Sequence, residues 1–465
     1  MRSDTIAAIA TAVSDSGIGI IRISGDDALA VADKVYRSKG NKKSLLKVDS
    51  HTIHYGFIYD DNELVDEVMV AVMKAPNTYT KENTVEIDCH GGILVMNKIL
   101  DVVLKNGCRL AEPGEFTKRA FLNGRIDLSK AEAVMDIIHS KNEFALKSSI
   151  RQLKGAVSDK VHSLRDEILY EIAFIESALD DPEHISLEGY ADRLTEKSVK
   201  ITDELKKLID SADNGKMLKD GINTVIVGKP NAGKSSLLNL LVGEDRAIVT
   251  DFAGTTRDVL EESIRLHGVG LNIVDTAGIR DTDDKVEKIG VDKARKYAEN
   301  ADLIIYVVDA SCRLDKNDDE IMELIGGKKV IVLLNKTDLQ QVVSEEEILK
   351  KMTGMSQNNI IRVIRTSTKE NTGIEEFEYT IKDMFFHGRI AVNDEIYITN
   401  QRHKEALIEA YESMKMVLGS LADNMPEDFY SIDLMSAYVS LGRIIGEEVD
   451  DDLVNEIFGK FCMGK

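Results

Sequence analysis

The sequence predicts a fold of α/β plus α type. It has an α+β amino-terminal part, a helical bundle drawn from two separated chain segments, and an α/β domain inserted between those segments. Three observations lead there. Short apolar runs bounded by glycine fill residues 1–120. Apolar residues at three- and four-residue steps dominate from about residue 127 and again over 402–458. Between those stretches, residues 217–385 alternate apolar strands with helical segments, the pattern of a mostly parallel sheet. The resulting divisions are 1–120, 121–216, 217–385 and 386–465.

In the first part, residues 17–25, 64–73 and 84–89 read as strands, because β-branched and apolar residues recur between glycine and polar punctuation. A helix is expected to open at Ser129-Lys130-Ala131-Glu132, a capping-box pattern in which hydroxyl and carboxylate satisfy free N–H groups. Past it, Val134, Ile137, Ile138, Leu164, Ile168, Ile172 and Ile175 keep helical spacing. The blocks before and after the insertion are expected to pack as one bundle, which requires the two ends of the insertion to lie close together. Strands within the insertion are expected at 224–227, 271–274, 303–308 and 330–334.

The 465 residues are enough for about three domains, and 43% hydrophobic content is ample for packed cores. Net charge is −22, which argues against coating nucleic acid by bulk electrostatics. No run approaches the roughly eighteen apolar residues of a membrane helix, and Met1-Arg2-Ser3-Asp4 leads into no signal core. Cys89, Cys108, Cys312 and Cys462 are scattered without a C-x-x-C pair, so a cytoplasmic protein without structural zinc is expected.

The chemistry-bearing motifs sit at strand ends. Gly228-Lys229-Pro230-Asn231-Ala232-Gly233-Lys234-Ser235-Ser236 follows the strand at 224–227 and fits the phosphate loop. Its N–H groups are expected to cradle α and β phosphates, Lys234 to reach the β and γ phosphates, and Ser235 to hold Mg²⁺. Asp275-Thr276-Ala277-Gly278 ends a second strand, with Asp275 suited to water-mediated Mg²⁺ contact and Gly278 to the γ phosphate. Asn335-Lys336-Thr337-Asp338 ends another. A carboxylate at Asp338 can accept two N–H bonds from guanine, whereas adenine would present it with an acceptor. Between the first two motifs, Thr250-Asp251-Phe252-Ala253-Gly254-Thr255-Thr256 reads as a mobile loop, with Thr256 a second candidate Mg²⁺ ligand. The order of motifs points to a GTPase. Ile279 follows Gly278 where Ras-like enzymes carry a water-positioning glutamine, so hydrolysis needs another orienting group and another source of positive charge.

Over its whole length the chain resembles the MnmE (TrmE) family, GTPases of tRNA wobble-uridine modification. The resemblance rests on the phosphate loop, Gly254-Thr255-Thr256-Arg257-Asp258, the tail Phe461-Cys462-Met463-Gly464-Lys465, His90-Gly91-Gly92 and residues 20–25 and 113–124. It implies a Ras-like GTPase domain inserted in the helical domain, and an amino-terminal folate-binding-like domain through which the chain forms a homodimer. It also implies K⁺ held by Asn231 with Thr250, Phe252 and Thr255, where an arginine finger would otherwise act. Glu287 matches the family's water-orienting carboxylate, and Arg280 lies in the same switch. Arg22, Glu86, Arg125 and Lys465 match the positions that bind 5-formyl-tetrahydrofolate or a related one-carbon folate, with Arg125 where lysine is common. Ala12-Val13-Ser14-Asp15 replaces a proline-containing turn. Cys462 matches the tail cysteine proposed to act on the uridine. The implied partners are tRNA and the FAD-dependent MnmG (GidA), in a heterotetramer or larger complex.

Overall fold

The computed structural model describes residues 4–40, 44–140, 142–243, 261–266, 269–275, 297–355, 360–386, 396–447, 449, 451–461 and 464. The chain divides into two compact units. One takes Met1–Ile138, Ser149–Thr202 and Ala406–Lys465, and the other takes His139–Ser148 and Asp203–Glu405.

The first unit opens with β1 (Ile6–Ile9), β2 (Ser16–Ser24), α1 (Ala28–Val35), β3 (Tyr36–Ser38), β4 (Thr52–Asp60), β5 (Glu63–Met73), β6 (Thr84–Gly91), α2 (Ile93–Lys105) and β7 (Arg109–Leu110). The strands form one sheet in the order β3-β4-β5-β6-β2-β1-β7. Neighbours are antiparallel except β1 with β7. Strand side chains alternate between faces. Ile21, Ile23, Val68, Val70, Val72, Val85 and Ile87 therefore share one face, in a core with Val31, Met96 and Ile99 from the two helices. The same alternation sends Arg22 and Glu86 to the opposite face, where Arg22 is paired across the ladder with Glu86 and with Ala8. Ile6, Ala8, Ala111 and Phe116 form a small core on that side.

Helices α3 (Glu115–Leu122), α4 (Leu128–Ile138), α5 (Glu143–Leu153), α6 (Ala156–Asp180) and α7 (Tyr190–Asp220) follow. The expected cap at Ser129 is corrected: α4 already begins at Leu128. Asp127 Oδ1 accepts from the Lys130 amide at 2.9 Å, and Ser129 Oγ donates to that same Asp127 oxygen at 2.6 Å. The carboxylate is the stronger acceptor, so the helix starts two residues earlier than the capping-box reading placed it. The apolar stripe of α6 behaves as expected, with Leu164, Ile168, Ile172 and Ile175 buried.

The second unit holds β8 (Ile222–Val227), α8 (Lys234–Val242), β9 (Glu261–Leu266), β10 (Val269–Asp275), β11 (Leu303–Asp309), α9 (Lys316–Leu324), β12 (Lys329–Asn335), α10 (Glu345–Met355), β13 (Ile360–Arg365) and α11 (Ile374–Phe386). Their sheet order is β13-β12-β11-β8-β10-β9. All pairs are parallel except β9 with β10. Both faces are covered. Ile226, Leu237, Ile305, Leu333 and Phe377 belong to one core; Val225, Ile304, Tyr306, Val332 and Met322 belong to the other. That is why these strands read as continuous apolar runs. The strand order reverses on either side of β8, and the crevice at the carboxyl end of such a strand is where doubly wound sheets bind ligands.

The last helices are α12 (Gln401–Ala422), α13 (Glu427–Ile445) and α14 (Asp451–Gly459), which belong to the first unit from Ala406 onward. Helix α13 packs on α6: the Arg165 guanidinium lies 4.0 Å from the Tyr438 ring centroid and is paired with Glu447. The two helical blocks thus share one bundle. Phe458 in the last turn of α14 and Phe461 just beyond it are buried with Leu128, Ala131 and Val454.

Candidate functional site

The phosphate loop leaves the carboxyl end of β8. Gly228 has φ +149, and a Cβ there would lie 2.3 Å from the Val307 carbonyl of β11, so the position needs glycine on both counts. Asn231 adopts φ +62, a left-handed conformation that asparagine tolerates better than other non-glycine residues. Gly233 caps α8 at φ +107, and a Cβ there would lie 2.1 Å from Asn335 Nδ2. Lys234 starts α8, and its ammonium donates to the carbonyls of Gly228 at 2.6 Å and Lys229 at 2.8 Å. Ala232 is buried, whereas Asn231, Ser235 and Ser236 are exposed at the loop and the first turn of α8. A helix N-terminus with free N–H groups and a lysine beside it is a receptor for a polyanion.

The Asn335-Lys336-Thr337-Asp338 segment leaves β12 next to it. Asn335 is 1% exposed. Its Nδ2 donates to the Ala232 carbonyl at 2.9 Å, and its Oδ1 accepts from the Thr368 amide at 3.1 Å. This side chain braces the phosphate loop against the loop that follows β13. Losing one partner would strand a buried amide at a cost of about 1–3 kcal/mol. Lys336 sits at φ +64, with its ammonium 2.6 Å from Asp309 Oδ2 at the end of β11. Burial pushes the Asp309 carboxyl up, but Lys336 together with the Ser311 hydroxyl and amide outweighs it and holds it below the usual carboxylate range. Thr337 Oγ1 donates to the Thr366 carbonyl at 3.0 Å. Asp338 Oδ1 accepts from Ser367 Oγ at 2.9 Å, and Lys369 lies 3.9 Å from its other oxygen. The Asp338 carboxylate is 11% exposed and fixed in direction.

Sequence reasoning did not name Ser367, Thr368 or Lys369, nor Asp309. The available signal was another parallel strand, β13, ending in small hydroxyl residues beside the β12 motif. Asp275 ends β10, with its backbone paired to Ile226 of β8. Thr250, Asp251, Phe252, Ala253, Gly254, Thr255, Thr256, Thr276, Ala277, Gly278, Arg280, Glu287, Cys462 and Lys465 lie outside the described residues, as does the side chain of Asp275.

A second constellation forms on the amino-terminal sheet. Arg22 Nε donates to Glu86 Oε1 at 2.7 Å, with side chains 18% and 23% exposed, and Arg22 NH1 donates to the Gly464 carbonyl at 3.0 Å. The Arg22 guanidinium lies 5.6 Å from the Phe116 ring centroid and 5.8 Å from that of Tyr79, over which Arg125 sits at 4.6 Å. A Cβ at Gly464 would lie 2.3 Å from the Ile9 carbonyl, so Gly464 lies close against β1. The structure therefore brings Arg22, Glu86, Arg125 and Gly464 together, with Arg22 and Gly464 442 positions apart.

Comparison with known proteins agrees with this layout. Residues 128–462 match the family described as MnmE helical domain, and residues 5–125 match GTP-binding protein TrmE N-terminus. A relative from Lachnoclostridium phytofermentans, named tRNA modification GTPase MnmE, is 58% identical over 465 residues and covers 100% of both chains. Relatives of the same name from Clostridioides difficile and Thermoanaerobacter pseudethanolicus are 50% and 48% identical, each over 99% of both chains. A crystal structure of the G domain of the T. maritima FeoB iron transporter is 25% identical and covers 36% of this chain and 98% of its own, with a TM-score of 0.26. A score that low carries no weight; the fold rests on strand order.

A Ras-like sheet with a phosphate loop at its switch point and a braced N-K-x-D segment two strands away defines a GTP hydrolase. The chain belongs to the MnmE family of tRNA modification GTPases. Its GTPase activity serves tRNA modification, and among the described residues no helix is long and apolar enough to cross a membrane.

Proposed function

We propose that this GTP hydrolase is K⁺-dependent and cytoplasmic. It works as a homodimer with the FAD-dependent partner MnmG (GidA) to add a carboxymethylaminomethyl or aminomethyl group at carbon 5 of the tRNA wobble uridine. In this reading the amino-terminal domain (1–120) binds folate and dimerises, the helical domain is built from 121–216 and 386–465, and the GTPase domain is 217–385. Residues Asn231 to Ser236 cradle the phosphates, and Asn335 to Asp338 select guanine. Asp251, Ala253 and Gly254 of the loop held in the GTP state, together with Thr276, Ala277 and Gly278, complete the nucleotide-binding set of this reading, with the Gly278 N–H bonding the γ phosphate. Ser235 and Thr256 would hold Mg²⁺, with Asp275 acting on it through water, and Asn231, Thr250, Phe252 and Thr255 would hold K⁺. The exposed Asn231 amide and Ser235 hydroxyl suit hard cations, which take oxygen ligands. A cation there offsets the charge that develops between β and γ phosphates, as a guanidinium does. Glu287 orients the attacking water, with Arg280 in the same segment.

The observation that most supports the modification chemistry is the hydrogen bond from Arg22 to Gly464 beside Glu86. It holds Gly464 next to the ion pair assigned to 5-formyl-tetrahydrofolate, and Cys462 and Lys465 are its near neighbours in sequence. That pair, with the Tyr79 and Phe116 rings alongside, suits a flat heterocycle bearing N–H donors and an anionic tail. A bound one-carbon folate would supply the one-carbon unit, and Cys462, favoured as thiolate by Lys460 and Lys465 nearby in the sequence, would take part in modifying the uridine. Replacing Glu86 with glutamine is expected to weaken 5-formyl-tetrahydrofolate binding about ten-fold, the size of a lost charge-assisted hydrogen bond. Calorimetry on the folded variant measures it. Undiminished affinity would remove Glu86 from the site, and no binding by the unaltered protein would remove the folate reading.

A further inference from the structure

The phosphate loop is tied to its scaffold by a side chain at a position that the motif leaves open to any residue. Lys229 is the second residue of the loop, and its side chain is 18% exposed. Its ammonium lies 2.7 Å from Asp318 Oδ2 and 3.0 Å from Asp315 Oδ2. Both carboxylates are oriented independently of Lys229. Asp315 is the N-cap of α9, accepting from the Asn317 and Asp318 amides, and Asp318 returns a bond to the Asp315 amide at 2.9 Å. Asp318 is 1% exposed, and its other oxygen accepts from Tyr306 Oη at 2.8 Å. Tyr306 is fully buried in β11. Burial, then the Asp318 charge, pushes the Tyr306 hydroxyl upward, so it stays a donor. Burial pulls the Lys229 ammonium down, but the bonds to Asp318 and Asp315 outweigh it, and Lys229 stays charged. The backbone of Lys229 faces inward: its carbonyl accepts from Lys234 Nζ at 2.8 Å and from the Ala232 amide at 3.3 Å.

The structure assigns Lys229 and Asp318 as positioning residues for the phosphate loop, through the relay Tyr306–Asp318–Lys229. The side chain of Lys229 anchors to a rigid strand and helix start, while its carbonyl, one residue unit away, sets where Lys234 begins its reach. A loop held this way meets the phosphates with less ordering still to be done on binding. Lys229 itself touches no nucleotide group in this account; it acts through Lys234 and the loop amides. The inference rests on the reading of residues 228–236 as the phosphate site.

Two explanations compete with it. Lys229 could act as a bare charge near the phosphates, or the relay could contribute to stability alone. Asp318→Asn separates all three. It keeps the Lys229 charge and removes a nearby negative one, so through-space electrostatics predicts tighter nucleotide binding. Positioning predicts weaker binding, about ten-fold for GTP and for GDP, with kcat at saturation changed less than about two-fold. A stability role alone predicts a lower melting temperature at unchanged affinity. The measurement is titration of fluorescent GTP and GDP analogues with steady-state kinetics on the full chain. Lys229→Met is expected to match Asp318→Asn, and Lys229→Arg to recover to within about three-fold of the unaltered protein. Should Asp318→Asn not fold, Asp315→Asn, at a half-exposed cap, is expected to weaken binding about three-fold, and unchanged or tightened binding there overturns the inference. Unchanged or tighter affinity in Asp318→Asn likewise overturns it, as does equal loss in Lys229→Arg and Lys229→Met. If the unaltered protein itself binds no guanine nucleotide, it is the reading of the loop that has failed.

Discussion

Asp338→Asn is expected to lower GTP affinity by about a thousand-fold or more and to shift preference toward xanthosine triphosphate. The Asp338 carboxylate is held in direction by Ser367 and is mostly shielded from water. In our account it accepts two N–H bonds from guanine. An asparagine there turns one oxygen into a donor facing a donor. Sites built to pair with specific N–H or O–H groups reject a mismatched partner by about 10⁴–10⁵, because polar groups are left buried and unpaired. Xanthine presents a carbonyl where guanine presents its amine, so the new amide donor meets an acceptor. Competition of GTP and xanthosine triphosphate against a fluorescent nucleotide reads both effects. Equal affinity of the variant and the unaltered protein for GTP would show that Asp338 does not face the base. The variant leaves intact the Asn335 brace to Ala232 and Thr368.

Exchanging K⁺ for Na⁺ is expected to slow GTP hydrolysis about a hundred-fold at saturating nucleotide. The switch segment lacks the glutamine of Ras-like enzymes at Ile279, and the sequence offers no cis arginine by spacing. Arginine fingers are worth about 10³–10⁵ in rate, so a cation that replaces one only in part should still carry two powers of ten. Selectivity between the two ions follows from size: a site of four or more oxygens spaced for K⁺ fits Na⁺ poorly. Of the four residues proposed to hold K⁺, Asn231 is among the described residues, exposed and in a left-handed conformation. Asn231→Gly, which removes the amide and keeps the left-handed backbone unstrained, should therefore abolish the difference between the ions while leaving GTP binding within a few-fold. Equal rates in K⁺ and Na⁺ would contradict the account.

Local order in the chain made much of this legible. The phosphate loop is contiguous, its glycines answer to backbone conformation, and its strand is apolar on both faces because it is covered on both faces. The N-K-x-D segment is contiguous too. The short edge strands β3 and β7 escaped because two or three residues carry no period. The cap at Asp127 escaped because the neighbouring serine offered an equally good local pattern, and the stronger acceptor decided between them. What local order could not carry was long-range pairing. Lys229 reads as an ordinary loop lysine until Asp318, 89 positions on, is seen against it. Arg22 and Gly464 are the same case across almost the whole chain. The sequence could name Asn335 as part of a motif, but not that its amide would brace two loops at once.

The most direct test of the central claim, that GTP hydrolysis by this chain serves modification of tRNA, is mass spectrometry of tRNA nucleosides. The strains compared lack the chain or carry either the unaltered protein or Asp338→Asn. The account predicts that the modified wobble uridine disappears on deletion, returns with the unaltered protein and stays absent with the variant. Full modification in the deletion strain would contradict it, and full modification with a variant shown to have lost GTP binding would uncouple the hydrolysis from the chemistry.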